Sequence, residues 1–592
     1  MSTSITIQSG RPASKIALSH EAQQDVHQAY LVSMRQRFKT VINRLTRGDM
    51  LNMLRRKLPR QMYSDADAEN LGFLMTYLYA WNWLQHNVHG EYQHEVLDAF
   101  SKGPQGFLMA MLLQSNSTGE FIQKYIHHWK NYQGQPQLQH RQLMQLLSQK
   151  GGAVELADYI ESAWNALHLF SKSYVAGYKD LAKQEKDRYA DMLGAEDKER
   201  LVLVDQLPDT EALTGFNKLG IIPAMGCPQT CRHCMFIFRP LMKNAVAPAP
   251  LYKVIDELTT SVLFTGGDLT LQLDHFYNAI ESMPHVTTFA ILLNGDFADS
   301  RQITRQVMTN MASAIRRRSV TWPGAKVMLQ ISFDEFHQEV VVDRKGNLTE
   351  RIPVTKIANI VEAAPEFKKE IQLCLLHKQG HLNFSMELFQ KGVFARLARE
   401  LGRRGHQLKI LSSAPSSRLK RNPLNPEQPA QLIKDATFVL TVYPDVPILL
   451  TSTTIDAYGR ASMMELHEAV NERELLEQVL QGKGAGGETF DKDLMLWFNG
   501  WATLFSAVHM CLGNVFEEGM EIIRRRQLKD PLSNALNIFD LRLLDYYREL
   551  RDDLDSIIER STSPHHLFHT ITEDAGMRLH MTKRLIEANN LL

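Results

Sequence analysis

The segment GCPQTCRHCMF, residues 226–236, sets Cys227, Cys231 and Cys234 in a C-x3-C-x2-C array. Three thiolates on one short loop can hold three irons of a cubane iron–sulfur cluster, because soft sulfur ligands are what such clusters use. The fourth iron then lacks a protein ligand. An open position on a redox cluster lets a substrate or cosubstrate bind and be reduced, whereas four protein ligands suit simple electron transfer. The competing reading is a structural zinc site on the three thiols and a histidine such as His233; such sites usually pair two short ligand clips, and only one is present.

The other two of the five cysteines, Cys374 and Cys511, stand alone and read as buried thiols. Cys374 has an alternative: if it faces the interior of the fold it can donate a hydrogen atom to a substrate. The run Asp334-Glu335-Phe336-His337-Gln338-Glu339 is denser in ionisable groups than a strand end needs. His337 is the acid/base or substrate-contact candidate there, against the plainer reading of a solvated loop.

The elements that must position these residues follow from periodicity. From about residue 216, short apolar runs bounded by Gly, Asn, Asp or Ser alternate with amphipathic stretches: LGIIPAM (219–225), SVLFTGG (261–267), TTFAILLNG (287–295), KVMLQISFD (326–334), EIQLCLLH (370–377) and QLKILSS (407–413). Helices are expected between them at 273–282, 300–318, 355–363 and 386–404. Six strand-then-helix units predict a parallel sheet, since parallel neighbours need long crossovers. The expected fold is α/β, an open or partial (β/α)6 TIM-like barrel.

Residues 1–205 read as helices: 70–84 is apolar nearly all round, and 121–129 and 153–178 carry apolar residues at three-to-four spacing. The Gln-rich stretch 133–149 reads as a loop and a polar helix. ATFVLTVYPDVPILLTSTTI (436–455) is β-like and ends at DAYGR (456–460); after 465 the pattern returns to helix, with 493–516 apolar on a wide face. The expected organisation is a helical domain (1–205), the barrel (216–415), a β-containing extension (416–464) and a helical C-terminal domain (465–592), so that all-α regions flank the core.

Composition sets the outer bounds. Sixty-six basic side chains balance 66 acidic ones in 592 residues, and 44% of residues are hydrophobic. That excludes a disordered, collagen-like or membrane-embedded chain and gives no bulk attraction to nucleic acid or anionic lipid. The segment MSTSITIQSGRPASK has no apolar core of a signal peptide, and no window approaches eighteen apolar residues. A soluble protein of the reducing cytoplasm is expected, with no membrane partner.

On these residues the central region resembles the radical S-adenosylmethionine (radical SAM) enzymes. In that family a C-x3-C-x-Φ-C loop follows the first strand of a partial (β/α)6 barrel, and His233 holds the Φ position, commonly aromatic. A GGE-like motif ends the second strand and holds the amino group of SAM; Gly266-Gly267-Asp268 stands there. The glycines permit close backbone approach, and Asp268 offers a carboxylate one methylene shorter than Glu. Leu293-Asn294-Gly295 and Ser332-Phe333-Asp334 close the third and fourth strands, where Asn294, Ser332 and Asp334 match positions that line the SAM site in relatives.

The resemblance covers about 216–415. It implies one [4Fe-4S] cluster on Cys227, Cys231 and Cys234, reductive cleavage of SAM, a 5'-deoxyadenosyl radical that abstracts hydrogen from substrate, and an electron donor such as flavodoxin or ferredoxin. Met463 and Met464 stand where relatives with auxiliary clusters carry cysteine, so a second cluster is not expected. For substrate, a peptide or protein side chain comes first, on the SFDEFHQ element (332–338), which is similar to those of peptide-modifying relatives. A small metabolite stays open. So does RNA, through the basic stretch 34–60, where nine Lys and Arg face Asp49 alone, as does a non-catalytic cluster or zinc protein.

Overall fold

The computed structural model describes residues 20–44, 65–98, 104–136, 138–149, 189–209, 216–229, 231–236, 249–343, 345–378, 392–416, 432–453, 459–463, 472–484 and 493–591. These fall into two compact units, one within 18–181 joined by 340–349, the other within 182–339 and 350–592.

The first unit is helical. Its helices His20–Arg44, Asp65–Asn87, Pro104–Leu113, Thr118–Lys130 and Leu138–Gln149 bury one apolar core containing Phe38, Tyr77, Leu84, Phe121 and Tyr125. Sequence signals set the element ends. Ser117 caps Thr118–Lys130 by accepting from the Glu120 N–H, and the Glu120 carboxylate accepts in return from the Asn116 N–H. A two-stranded hairpin, 340–350, inserts Val340 into the same core.

The second unit is built on a sheet. With the hairpin strands β5 (Val340–Val342) and β6 (Leu348–Glu350) counted in chain order, its strands are β1 (Leu219–Ile222), β2 (Ser261–Phe264), β3 (Thr288–Leu293), β4 (Lys326–Ser332), β7 (Ile371–Lys378), β8 (Leu408–Ser416), β9 (Leu432–Leu440), β10 (Ile448–Thr453), β11 (Leu494–Trp497), β12 (Trp501–Leu504) and β13 (Cys511–Asn514). They form one eleven-stranded sheet in the order β13-β12-β11-β1-β2-β3-β4-β7-β10-β9-β8. The seven strands from β11 to β10 run parallel, and the pairs at either end are antiparallel.

Helices Leu273–Ser282, Arg301–Ser319, Val354–Ala363 and Gly392–Arg403 follow successive parallel strands. Side chains alternate across a strand. Val327, Leu329 and Ile331 of β4 therefore pack in one core with Met308, Met311, Ile315 and Ile357 of the helices, while Met328, Gln330 and Ser332 point to the other face.

Two expectations need correction. The segment 407–413 is not the sixth strand of the parallel series: it lies in β8, the outermost strand, antiparallel to β9, and β10 takes the place beside β7 with Leu449 opposite Cys374. β8 leaves Ile410 and Leu411 exposed, as suits an edge, whereas β10 alternates buried and half-buried residues. The segment 493–516 is not a helix but contains β11, β12 and β13, so the C-terminal region is not all-α and Cys511 lies on a strand. Every residue of those strands is buried, and continuous apolarity does not distinguish a buried strand from a buried helix. The sheet is open: β13 and β8 end it without pairing to each other.

Among the described residues no helix is long and apolar enough to cross a membrane. The helix expected at 153–178 lies outside the described residues, as does most of 34–60.

Candidate functional site

The cysteine array follows β1 directly, at its C-terminal end. There the chain is held by the end of β2: the Thr265 N–H donates to the Ile221 carbonyl (3.0 Å), Gly267 N–H to Ala224 (3.0 Å) and Asp268 N–H to Gly226 (2.8 Å). Gly266 has φ +127°, a conformation that favours glycine. A Cβ on Gly267 would lie 2.2 Å from the Gly226 oxygen and 2.4 Å from that of Met225. The glycine pair therefore lets one backbone lie against another. The Asp268 side chain turns to its own loop, where Oδ1 accepts from the Thr270 N–H (3.1 Å) and hydroxyl (2.6 Å).

Cys227 is half-buried, while Cys231 and Cys234 are buried. Burial pushes the Cys231 thiol up to about 12; the Arg351 guanidinium opposes this, and Asp334, Cys234 and Cys227 add to it. The Phe236 N–H donates to Cys234 Sγ at 3.4 Å.

A segment that sequence reasoning did not connect to the array clasps it from far along the chain. The Ala461 N–H donates to the Cys234 carbonyl (3.1 Å) and Arg460 Nε to the Phe236 carbonyl (3.2 Å). Gly459, at φ +64°, sits where a Cβ would be 2.2 Å from the Met235 backbone. The only sequence signal was the glycine in DAYGR. Behind the loop, Cys234 and Phe236 share an apolar cluster with Met495, Trp497, Trp501 and Cys511 of β11–β13. The C-terminal strands thus form part of the packing of the cysteine loop.

At the end of β3, Asn294 Oδ1 accepts from the Asp296 N–H (2.8 Å) in a local turn. Asp296 in turn accepts from Gln229 Nε2 of the cysteine loop (3.0 Å) and from the buried Lys356 ammonium (2.7 Å), which also meets Asp299 (2.6 Å). Burial lowers the Lys356 pKa, but the two aspartates outweigh it and the net shift is upward.

Ser332 is buried at the end of β4, and two residues on Asp334 is fully buried. Asp334 Oδ1 accepts from the Phe336 and His337 N–H groups (2.9 and 2.8 Å). Oδ2 is 2.9 Å from His337 Nδ1 and 3.6 Å from His233 Nε2. The His233 ring stacks on Phe336 (centroids 4.7 Å apart) and meets His337 edge-on, also at 4.7 Å. Burial alone raises the Asp334 carboxyl pKa, yet the His337 and His233 imidazoles hold it well below the usual carboxylate range. The His377 imidazole is pushed down to about 4 by burial, against the pull of Asp334.

Of the residues expected to do chemistry, His233, Asp334 and His337 converge, the three cysteines share the loop after β1, and Gly266-Gly267 supports the start of that loop. Asp268 and Asn294 spend side-chain acceptors on their own turns. Cys374 lies mid-strand in β7, opposite Gln330 of β4 and Leu449 of β10. Leu373 and Leu375 belong to the helix-packed core, so Cys374 faces the other side of the sheet. Burial raises its thiol pKa, and hydrogen bonding with Thr451 opposes this.

No family model matches the chain, and no curated protein matches it significantly. Among solved structures it is similar to SuiB of Streptococcus suis, determined bound to the precursor peptide SuiA, at 12% identity over 63% of this chain and 80% of that one, with a TM-score of 0.27. At that score the likeness carries no argument about fold or chemistry.

Proposed function

We propose that the chain is a radical SAM enzyme, with one [4Fe-4S] cluster on Cys227, Cys231 and Cys234 at the mouth of a partial (β/α)6 barrel made by β1, β2, β3, β4, β7 and β10. The observation that carries this reading is the loop after β1: three thiols on one short loop, whose start is held against a glycine turn at the end of β2. The donor set fits the cluster. Three soft sulfurs suit iron, and the remaining cysteines lie on β7 and β13. Burial that disfavours a free Cys231 thiolate favours a metal-bound sulfur, which is deprotonated outright and shares its charge with the ion.

When bound, the cluster supplies the electron that splits SAM into methionine and a 5'-deoxyadenosyl radical, which takes a hydrogen atom from substrate. The chain itself supplies position. In this reading the Gly266-Gly267 backbone approaches the methionine end of SAM, and Asp268 offers its second carboxylate oxygen to the ammonium group. Asn294 and Ser332 line the same strand ends, with His233 as the ring beside the last cysteine. Asp334, buried at the end of β4 with Oδ1 fixed by two backbone N–H groups of its own loop, stands beside that ring. Cys374 stands on the sheet face opposite the helices and is the hydrogen-atom donor candidate of this reading, its thiyl radical being re-reduced by the electron donor. The substrate class we favour is a peptide or protein side chain, on the SFDEFHQ segment that follows β4.

Anaerobic reconstitution tests the reading, with dithionite standing in for flavodoxin or ferredoxin. About four irons per chain and 5'-deoxyadenosine formed from SAM are expected, both lost in C227A, C231A and C234A. Zinc alone, with no SAM cleavage, would overturn it.

A further inference from the structure

The cysteine loop and the loop after β4 meet at a second constellation that contains no sulfur. His233, Asp334 and His337 each offer one ring nitrogen or carboxylate oxygen, and the three atoms lie within 4.8 Å of one another. We propose that these three residues bind one divalent transition-metal ion, separate from the cysteine site. Two imidazoles and one carboxylate, with further positions open, are the donor set of mononuclear iron(II) and zinc centres.

The geometry supports a shared ion. Metal–nitrogen and metal–oxygen bonds of about 2.0–2.2 Å place neighbouring ligand atoms roughly 2.9–3.5 Å apart. Asp334 Oδ2 is 2.9 Å from His337 Nδ1 and 3.6 Å from His233 Nε2. The His233 and His337 rings are nearly perpendicular, at 85°, so their nitrogens approach Oδ2 from different directions.

The outer shell is also in place. Two backbone N–H groups fix Asp334 Oδ1, and the Asp334 N–H donates to the fully buried Gln338 (2.8 Å). His233 is held by stacking on Phe336, itself covered by the Arg232 guanidinium at 5.4 Å. Such partners orient ligands and tune affinity. Asp334 is fully buried while the His337 side chain is 16% exposed, which gives an ion a way in. This assignment makes His337 a metal ligand rather than the acid/base group its sequence position suggested, and its Nδ1–Oδ2 hydrogen bond the metal-free form of the site.

The ligand atoms are nitrogen and oxygen, so cobalt spectroscopy tests the site apart from the cluster. The full-length C227A/C231A/C234A chain is titrated anaerobically with Co2+. One ion per chain is expected, with visible d–d absorption and no sulfur-to-cobalt charge transfer. Adding H337A or D334N should weaken binding by more than the ~10–100-fold that loss of an outer-shell partner costs, with circular dichroism unchanged. If the triple variant does not fold, the wild-type chain with its cluster reconstituted is used, and one zinc beyond the cluster iron, absent in H337A, is the expected result. No nitrogen/oxygen-ligated ion in either preparation, or binding indifferent to both substitutions, overturns the proposal. Absence of SAM cleavage would leave this result untouched and bear only on the function proposed above.

Discussion

An alanine at Gly267 would put its Cβ 2.2 and 2.4 Å from two carbonyl oxygens of the cysteine loop, and backbone on a tied loop cannot swing aside. At Gly402, where nothing lies within 4 Å, the same change meets open space. G267A is therefore expected to cost about 1–3 kcal/mol, the range for forced overpacking, and to lower iron per chain, while G402A is expected to leave both unchanged or to stabilise by about 0.4–1 kcal/mol. Urea midpoints with iron analysis decide it; a G267A chain with wild-type midpoint and iron would show that the loop has slack the structure denies. The glycine pair itself was legible in the sequence. That its purpose is contact between two loops was not, because spacing reports where a small residue stands and not what lies against it. Gly459 is the sharper case: 224 residues separate the Arg460 side chain from the Phe236 carbonyl it holds, and no local pattern encodes that approach.

The helices Thr118–Lys130 and Leu138–Gln149 show what a buried histidine does to an element. His140 is fully buried, 2.8 Å from the Tyr125 hydroxyl and stacked on Trp129 at 4.1 Å. Burial, with His128 adding to it, lowers its pKa below the ordinary 6.5. Folded His140 thus stays neutral over a range where the unfolded chain takes up a proton, so stability falls as pH drops through about 6.5 toward the lower folded value. His128 is shifted the same way, again by burial. Thermal melts at pH 7.5 and 5.5 should show a larger loss for wild type than for H140Q; equal losses would remove His140 as the cause. Thr118–Lys130 was legible because apolar residues recur at helical spacing, Leu138–Gln149 because the Gln-rich stretch 133–149 reads as a loop and a polar helix, and β1 to β4 and β7 because short apolar runs end in turn residues. β11–β13 were not. LMLWFNGWATLF has apolar residues on every side, and only Gly500, at φ +90°, hints that the chain doubles back there. β8 and β10 exchanged roles because strand order depends on pairing far along the chain, which periodicity does not carry.

Across the second unit, the helix that precedes β1 is tied to the last hundred residues by charges taken out of water. Arg200, on Ala195–Gln206, donates to Asp530 (2.8 Å) and to the Cys511 carbonyl of β13 (3.0 Å). Arg578 grips Asp197 with two nitrogens at 2.8 and 2.5 Å, and Asp197 is 3.6 Å from Arg200. All four residues are buried, and two positive charges balance two negative ones. β11 pairs with β1, and its Trp497 lies in the apolar cluster behind Cys234. The C-terminal region therefore supports the strand and loop that carry the cysteines, a role that reading residues 465–592 as a separate helical domain did not contain. A buried pair differs from a surface pair in what its loss leaves behind: one missing partner strands a charge, costing roughly 3–5 kcal/mol, whereas replacing both with apolar residues is often neutral or stabilising. R578M should accordingly destabilise by about that much and lower iron per chain, and D197L/R578M should recover most of the loss, because the Arg200–Asp530 pair stays intact without either residue. Urea unfolding of the wild type, both single variants and the double variant measures the coupling directly. If R578M costs under ~1 kcal/mol, as an exposed pair would, the network is not what fastens the C-terminal region to the helix before β1, and the apolar cluster behind Cys234 carries that connection alone.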